Sequence, residues 1–327
     1  MKILVRLPNW LGDMIMAVGA VQQLPAIFPG AEVSVIVKKG LHDLLPFFPP
    51  THHQYVFSKE EHKGIKGAWR FGKMIRKKEQ FDLFISFPDS FSSALMGYAT
   101  GAKKRIGFRK EGRDLLLTNV YAKSKGLHRA EEYLSLLEMY VGKRINNLSV
   151  TLQHTFPKKD YLVININSEA QSRRLTTAKA VELISTVRKR IGGRIYLVGG
   201  GKEARFVEGV LALLPEKEDI VSLAGKTTLP QLAEVLASAR AVLTTDSGPA
   251  HLSNALRTQT VVLFGAGNEA NTSPYNKDLL QVIRLGQLSC EPCTKNVCVR
   301  FETPQCLERL DAVFITNTLQ QRIEHVH

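Results

Sequence analysis

The stretch Leu243-Thr-Thr-Asp-Ser-Gly-Pro-Ala-His-Leu252 decides the reading of this chain. The small and apolar residues 239–243 read as a buried strand, 249–256 as a helix, and Thr260-Val-Val-Leu-Phe264 as the next strand. Asp246-Ser247-Gly248 is then a turn from strand to helix. Ser247 or Gly248 suits the cap, and Pro249 suits the first helical position, where a missing N–H costs nothing. Free amides and the positive end of the helix dipole face outward at such a turn, and together they hold phosphate or diphosphate. The same residues also describe an ordinary well-capped helix.

Outward from this turn, strands and helices alternate along both halves. In the first half 2–7 reads as a strand, 13–28 as a helix with Ile15, Val18, Val21 and Leu24 spaced three apart, and 32–37 as a strand. A basic amphipathic helix (66–78), a strand (81–87), a helix (92–98), a short strand (105–108) and a helix (128–142) follow. The pattern stops over 150–159, at Pro157-Lys-Lys159, which reads as a linker between domains 1–155 and 156–327. It then restarts with strands at 161–166, 194–198 and 220–222 and helices at 177–191, 203–214 and 229–237. Such alternation argues for an α/β fold with parallel sheets covered on both faces. Two units of this kind make two doubly wound, Rossmann-like domains. Ligands bind beyond the carboxyl ends of the strands, so a cleft between facing domains is the expected site.

Among 327 residues, 44 are Lys or Arg and 30 are Asp or Glu, a formal charge of +14. That excess implies acidic partners: nucleic acid, anionic lipid or phosphorylated substrates. No helix-turn-helix, zinc-finger or RNP signature supports nucleic acid. No apolar run approaches the ~20 residues of a membrane span. Arg6 and Pro8 interrupt the apolar start too early for a signal peptide, so a cytoplasmic protein is expected. Cys290, Cys293, Cys298 and Cys306 contain one CxxC pair and read as reduced thiols in preference to a zinc site.

Two further motifs follow strands. In Pro8-Asn-Trp-Leu-Gly-Asp13, Gly12 lets the chain turn and Asp13 sits at a helix mouth, either as an N-cap or as a carboxylate held at a site. The G-x-G-x-x-G spacing of a dinucleotide fingerprint is absent there. Gly199-Gly-Gly201 permits a close approach to a ligand, or is a plain strand-to-helix turn, and lacks the Gly-Lys-Ser/Thr of a P-loop.

Thr245-Asp-Ser-Gly-Pro-Ala-His-Leu252, Val262-Leu-Phe-Gly265 and Thr272-Ser-Pro-Tyr275 together resemble the signature of the ADP-heptose–lipopolysaccharide heptosyltransferases. Pro8-Asn-Trp-Leu-Gly-Asp-Met14 is similar to that family's first loop. Phe87-Pro-Asp-Ser-Phe-Ser-Ser-Ala94, His128-Arg-Ala-Glu-Glu-Tyr133 and Cys290-Glu-Pro-Cys293 through Cys306 look most like its heptosyltransferase II group. The resemblance implies a GT-B fold with acceptor on the first domain, nucleotide sugar on the second, and a last helix crossing back to the first. It implies inverting transfer of L-glycero-D-manno-heptose from ADP-heptose to the lipopolysaccharide inner core, without metal or cofactor. The acceptor would be Kdo–lipid A carrying a first heptose, met at the inner face of the inner membrane. The alternatives are a related enzyme using another sugar nucleotide, or a non-catalytic sugar-nucleotide-binding module that needs Asp246-Ser-Gly248 but not Asp13.

Residue roles follow from the match. Asp13 is the general base. The amides of Ser247 and Gly248, next to Thr245, face the diphosphate, and Arg173 and Arg174 supply cations. Arg173 stands where a lysine is expected, which keeps the charge and changes the geometry. Glu203 meets donor hydroxyls or is an ordinary acid of a first helical turn. Asp246 binds heptose hydroxyls or holds its turn. His251 faces the phosphates or the core. Lys103, Arg105, Arg109 and Arg113 lie in a basic cluster that suits an anionic acceptor at a membrane surface, or a solvated surface.

Overall fold

The computed structural model describes residues 1–110 and 112–324. The chain divides into two compact units, Met1–Gln153 and His154–His327, where a boundary at 155/156 was expected. The first unit runs β1 (Lys2–Arg6), α1 (Leu11–Ile27), β2 (Glu32–Lys38), β3 (Gln54–Phe57), α2 (Gly64–Lys78), β4 (Leu83–Ser86), α3 (Phe91–Ala99), β5 (Lys104–Phe108), β6 (Asn119–Tyr121) and α4 (Arg129–Val141). Its six strands pair in parallel in the order β3-β2-β1-β4-β5-β6. The second unit runs β7 (Tyr161–Asn165), α5 (Thr177–Arg190), β8 (Arg194–Leu197), α6 (Ala204–Leu213), β9 (Ile220–Ser222), α7 (Leu229–Ser238) and β10 (Ala241–Thr245). It continues with α8 (Gly248–Ala255), β11 (Gln259–Phe264), α9 (Glu269–Thr272), β12 (Leu280–Arg284), α10 (Gln305–Glu308) and α11 (Ala312–Glu324). Its sheet is also parallel, in the order β12-β11-β10-β7-β8-β9.

Both orders are the same doubly wound topology. The chain adds three strands on one side, then returns to lay the fourth beside the first. The central strands are continuous apolar runs because both faces are covered: Ile3, Leu4 and Val5 in β1 and Val163 and Ile164 in β7 are fully or almost fully buried. Three strands absent from the sequence reading are all at sheet edges: β3, β6 and β12. β3 alternates exposed and buried residues, and β6 holds only half-buried ones, so neither makes an apolar run.

The segment between the units is anchored on both sides. In the first, Gln22 Nε2 donates to the Thr151 carbonyl at 2.8 Å, and the Gln153 amide donates to Phe47 at 3.0 Å. In the second, Lys158 Nζ donates to the carbonyls of Ala237 and Ala239 and to Thr258 Oγ1, at 2.8, 3.0 and 3.0 Å. Burial lowers the Lys158 pKa to about 8. α11 buries Ile315, Leu319 and Ile323 and packs on α5, β10 and β11 of its own unit.

α2 and α3 approach closely at Gly72, where an added Cβ would lie 2.4 Å from the Met96 carbonyl oxygen and 2.7 Å from Ala99 Cβ. Overpacking of this kind costs about 1–3 kcal/mol. Replacing glycine by alanine inside a helix returns about 1 kcal/mol. A backbone carbonyl cannot swing aside as a side chain can, so overpacking wins. Gly72→Ala should therefore lower stability by up to about 2 kcal/mol, read as a lower denaturant midpoint at unchanged slope.

Candidate active site

In the second unit the turn after β10 is held by the turn after β7. Asn165, the last residue of β7, donates from Nδ2 toward the Asn167 carbonyl at 3.1 Å, Thr244 Oγ1 at 3.0 Å and Ser247 Oγ at 2.9 Å. Asn167 Nδ2 donates to the Val198 carbonyl at 2.9 Å, and Ser168 Oγ donates to the Asp246 carbonyl at 3.3 Å. Asn165, Asn167 and Ser168 are buried. They were missed in the sequence, where the polar run at the end of β7 was their signal. Ser247 is the N-cap residue of α8, but its hydroxyl does not cap the helix: it donates back to the Thr245 carbonyl at 3.1 Å. Pro249 lies in the first turn.

The side chains expected at the donor separate into those that reach the turn and those that support it. Arg173, at the end of a short 3-10 turn, places Nη1 3.2 Å from Asp246 Oδ2. Arg174 donates Nε and Nη2 to the Ser168 carbonyl at 3.2 and 2.9 Å and lies 5.7 Å from the centre of the Phe206 ring, so its guanidinium braces the β7 loop. Thr245, expected among the donor-binding residues, is fully buried, and its hydroxyl donates to the Asn167 carbonyl. It belongs to the support. His251 is buried within α8. Glu203 is half-buried at the N-cap position of α6, with Oε2 against Gly200, where a Cβ would stand 2.7 Å away.

Asp246 is 4% exposed. Burial pushes its carboxyl up from 3.8 to about 6, against the pull of Arg173 and Arg284. Gly267 makes room for it: a Cβ there would lie 2.0 Å from Asp246 Oδ2. The Gly265–Gly267 loop is clamped by Arg284, which donates to the carbonyls of Gly265 and Gly267 and pairs with Glu269 and Glu291. Arg284 was also missed. The cysteine segment serves the same side. Thr294 N donates to Ala266 O at 2.8 Å, Ser172 N donates to Asn296 O at 3.1 Å, and Ser172 Oγ donates to Lys295 O. Cys306 is buried and its thiol is pushed up to about 11, so it stays protonated at neutral pH.

In the first unit Asp13 lies in the first turn of α1, whose N-cap is Trp10. Asp13 is therefore not the cap. Tyr133 Oη donates to its Oδ1 at 3.4 Å, and Arg129 Nε is 4.0 Å from the same oxygen. Burial raises the Asp13 pKa, and Arg129 and Tyr133 oppose the rise. Both partners come from the start of α4, which His128 and Glu131 cap reciprocally. Glu132 joins Arg129 at 3.1 Å to Lys123 at 2.7 Å, and Lys123 reaches Asp89 at 2.6 Å. The motif at 128–133 thus folds into a cap, an ion-pair chain and the holder of Asp13.

The basic cluster is not one surface. Lys103 pairs with Asp82 at 2.7 Å and Arg109 with Asp114 at 2.9 Å, both exposed. Arg105 donates to the carbonyls of Leu116 and Ala102 at 2.8 and 2.7 Å. Arg113, expected with them at the acceptor, is fully buried and donates Nη1 to the carbonyls of Pro88 and Ser90. It braces the loop after β4 and cannot meet an acceptor.

The glycosyltransferase family 9 (heptosyltransferase) sequence model matches residues 68–302. The chain belongs to this glycosyltransferase family. It is 26% identical over 320 residues to the lipooligosaccharide heptosyltransferase 2 of Haemophilus influenzae, covering 87% of this chain and 89% of that one. Its fold matches the Escherichia coli ADP-heptose lps heptosyltransferase II with a TM-score of 0.83 at 24% identity, over 100% and 99% of the two chains. A glycosyl transferase family 9 structure from Veillonella parvula matches with a TM-score of 0.85 at 18% identity, over 99% and 97%. The two parallel six-stranded sheets are thus those of GT-B heptosyltransferases. The matched span holds the residues that contact Asp246 and its turn, while Asp13 precedes it and Cys306 follows it.

A family 9 enzyme with a buried Asp246 should carry a pH signature. Its folded pKa, about 6, lies above the ordinary 3.8, so the proton favours the native state. This carboxyl costs the fold nothing below about pH 4, and the cost grows as pH rises through 6 to a plateau of about 3 kcal/mol. The difference in unfolding free energy between Asp246→Asn and wild type should therefore move in the variant's favour from about pH 4 to about pH 7. A flat difference across that window would place the Asp246 carboxyl at its ordinary pKa.

Proposed function

We propose that the protein is an inverting heptosyltransferase that moves heptose from ADP-heptose to the inner core of lipopolysaccharide, in the manner of heptosyltransferase II. The observation that carries the reading is Asp13: a carboxylate at a helix mouth, made more basic by burial and aimed by Tyr133 and Arg129. Family membership and the names of the relatives supply the sugar and the acceptor class. In this reading Asp13 takes the proton of an acceptor hydroxyl. The oxygen attacks C1 of the heptose from the face opposite the diphosphate, the C1–O bond breaks, and its electron pair leaves with ADP. The amides at the mouth of α8 and the Arg173 guanidinium stabilise that leaving charge. Asp246 and Glu203 meet donor hydroxyls, and Lys103, Arg105 and Arg109 attract the anionic core. Among the described residues no helix is long and apolar enough to cross a membrane. The enzyme acts at the cytoplasmic face, on an acceptor whose lipid stays in the bilayer. A non-catalytic binding module has no use for the partners that hold Asp13.

Asp13→Asn should lower turnover by about 10²-fold or more, the usual scale for loss of a general base, with ADP-heptose affinity little changed. In the wild type, kcat/KM should fall as pH drops through the raised Asp13 pKa, because only the ionised carboxylate accepts a proton. Product mass spectrometry with a core acceptor lacking the outer heptoses reads both. Near-normal turnover in the variant rules out this base.

The same reading assigns the leaving group to backbone amides and arginine, with no divalent ion. Turnover in EDTA should equal turnover with added magnesium. Loss of activity in EDTA, restored by magnesium or manganese, would move leaving-group stabilisation to a metal.

A further inference from the structure

α2 carries Lys66, Arg70, Lys73, Arg76, Lys77 and Lys78 and no acidic residue. Its Ala68, Phe71, Gly72 and Ile75 are buried, so Lys66, Arg70, Lys73, Arg76 and Lys77 lie on the opposite arc, and all six cations are exposed. Apolar groups stand among them. Ile65 is 59% exposed. Trp69 stacks on Tyr98 of α3, with ring centroids 5.9 Å apart and planes at 29°. Lys73 Nζ sits 5.3 Å from the centre of the Trp69 indole, and the Arg105 guanidinium sits 5.3 Å from the centre of the Tyr98 ring. The result is a continuous ladder of cation, indole, phenol and cation. Arg105 then donates to the Leu116 carbonyl, in a 3-10 turn that holds Leu115 92% exposed.

The stacked Trp69–Tyr98 pair, with cations over both rings and Ile65 and Leu115 exposed beside them, distinguishes this face from a purely charged one. Single-stranded nucleic acid would use the cations and the rings, but Ile65 and Leu115 offer a base nothing to stack on. Cations, ring edges at their level and aliphatic tips beyond them are the mixture that a bilayer interface selects. Indole and phenol rings settle at the headgroups. Lysine and arginine stems lie along apolar surface with their heads in water, and anionic lipid draws the charge.

We propose that α2, together with Tyr98 and Leu115, docks the protein on an anionic phospholipid bilayer. The proposal gives the heptosyl-transfer reading its route to a lipid-anchored acceptor and rests on that reading for this purpose only. Docking itself needs neither donor nor acceptor.

The test is co-sedimentation of the full chain with phosphatidylglycerol-containing vesicles and with pure phosphatidylcholine vesicles. The wild type should bind the anionic vesicles far more tightly, and less so with added salt. Each cation neutralised near the surface is expected to cost about fivefold, so Lys66→Gln/Lys73→Gln/Lys77→Gln should bind roughly a hundredfold more weakly. Ile65→Ser/Leu115→Ser, which alters only exposed side chains, should lose about tenfold or more, and added salt should leave that loss in place. Both variants should transfer heptose to a detergent-dispersed acceptor at the wild-type rate. Equal binding to the two vesicle types, or unchanged vesicle binding in either variant, overturns the proposal. So does tighter binding of single-stranded RNA that the aliphatic variant leaves intact. If the wild type docks as stated but transfers no heptose to the dispersed acceptor, the heptosyl reading fails and the docking surface stands.

Discussion

Each sheet reverses its strand order at the middle, and the rest of the molecule follows from that constraint. β1 and β4 are neighbours, but the connections after them leave in opposite directions, and the same holds for β7 and β10. The carboxyl ends of these pairs are therefore not covered by the helices that follow them. Backbone carbonyls there still need donors. In the first unit two buried guanidiniums provide them. Arg6 donates to Leu7 and Ile36 at 3.0 and 3.2 Å and to the Asn9 side chain, and Arg113 donates to Pro88 and Ser90. Burial lowers the Arg6 pKa only to about 10, so it remains charged at neutral pH. In the second unit Asn165 and Asn167 do the same with neutral amides. Arg6 so braces the loop after β1 that leads into the helix of Asp13, and Asn165 also reaches Ser247 beside Asp246.

Those two carboxylates share an electrostatic design. For each, burial is the largest influence and raises the pKa, while an arginine works against it: Arg129 for Asp13 and Arg173 for Asp246. Burial alone would leave a neutral acid, and a close, fully paired arginine would leave a weak base. At 4.0 Å, Arg129 is near enough to favour the anion without bonding fully to it. A carboxylate in that condition is more basic than an ordinary one, which is the property the proposed transfer asks of Asp13. The arrangement opposes stability, because an ionised buried carboxyl weakens the fold at the pH where it works.

Local chemistry was legible in the sequence, and long-range chemistry was not. The strand-turn-helix at 243–252 depends on cap and proline rules that act within a few residues, and β10, its turn and α8 lie there. The central strands announced themselves as apolar runs. The edge strands β3, β6 and β12 did not, since one side of each is wet. Asn165 and Ser168 act on partners 78 to 82 residues away, and Arg113 acts on partners 23 and 25 residues away. The polar run at the end of β7 marks the first two as unusual, but no local pattern gives their partners or marks Arg113. Arg113 follows Lys103, Arg105 and Arg109 in a basic stretch, and composition alone gives no reason to separate it from them. Thr245 was misplaced for a related reason. It belongs to the motif, but strand pleating turns its side chain into the core, where it holds the neighbouring loop.

Ser247 shows how the site departs from the rule that revealed it. A serine at this position normally returns its oxygen to an amide of the first turn, a contact worth about 1 kcal/mol. Here the hydroxyl points back to Thr245 and accepts from Asn165. Ser247 leaves the mouth of α8 without a side-chain cap, and the local preference yields to the long-range network. Arg173 is meanwhile held by Asp246 at 3.2 Å. In the proposed transfer, a donor diphosphate at the helix mouth would compete with Asp246 for this guanidinium and repel the carboxylate; both effects would raise the Asp246 pKa further and favour its protonated form, which donates a hydrogen bond where the anion only accepts.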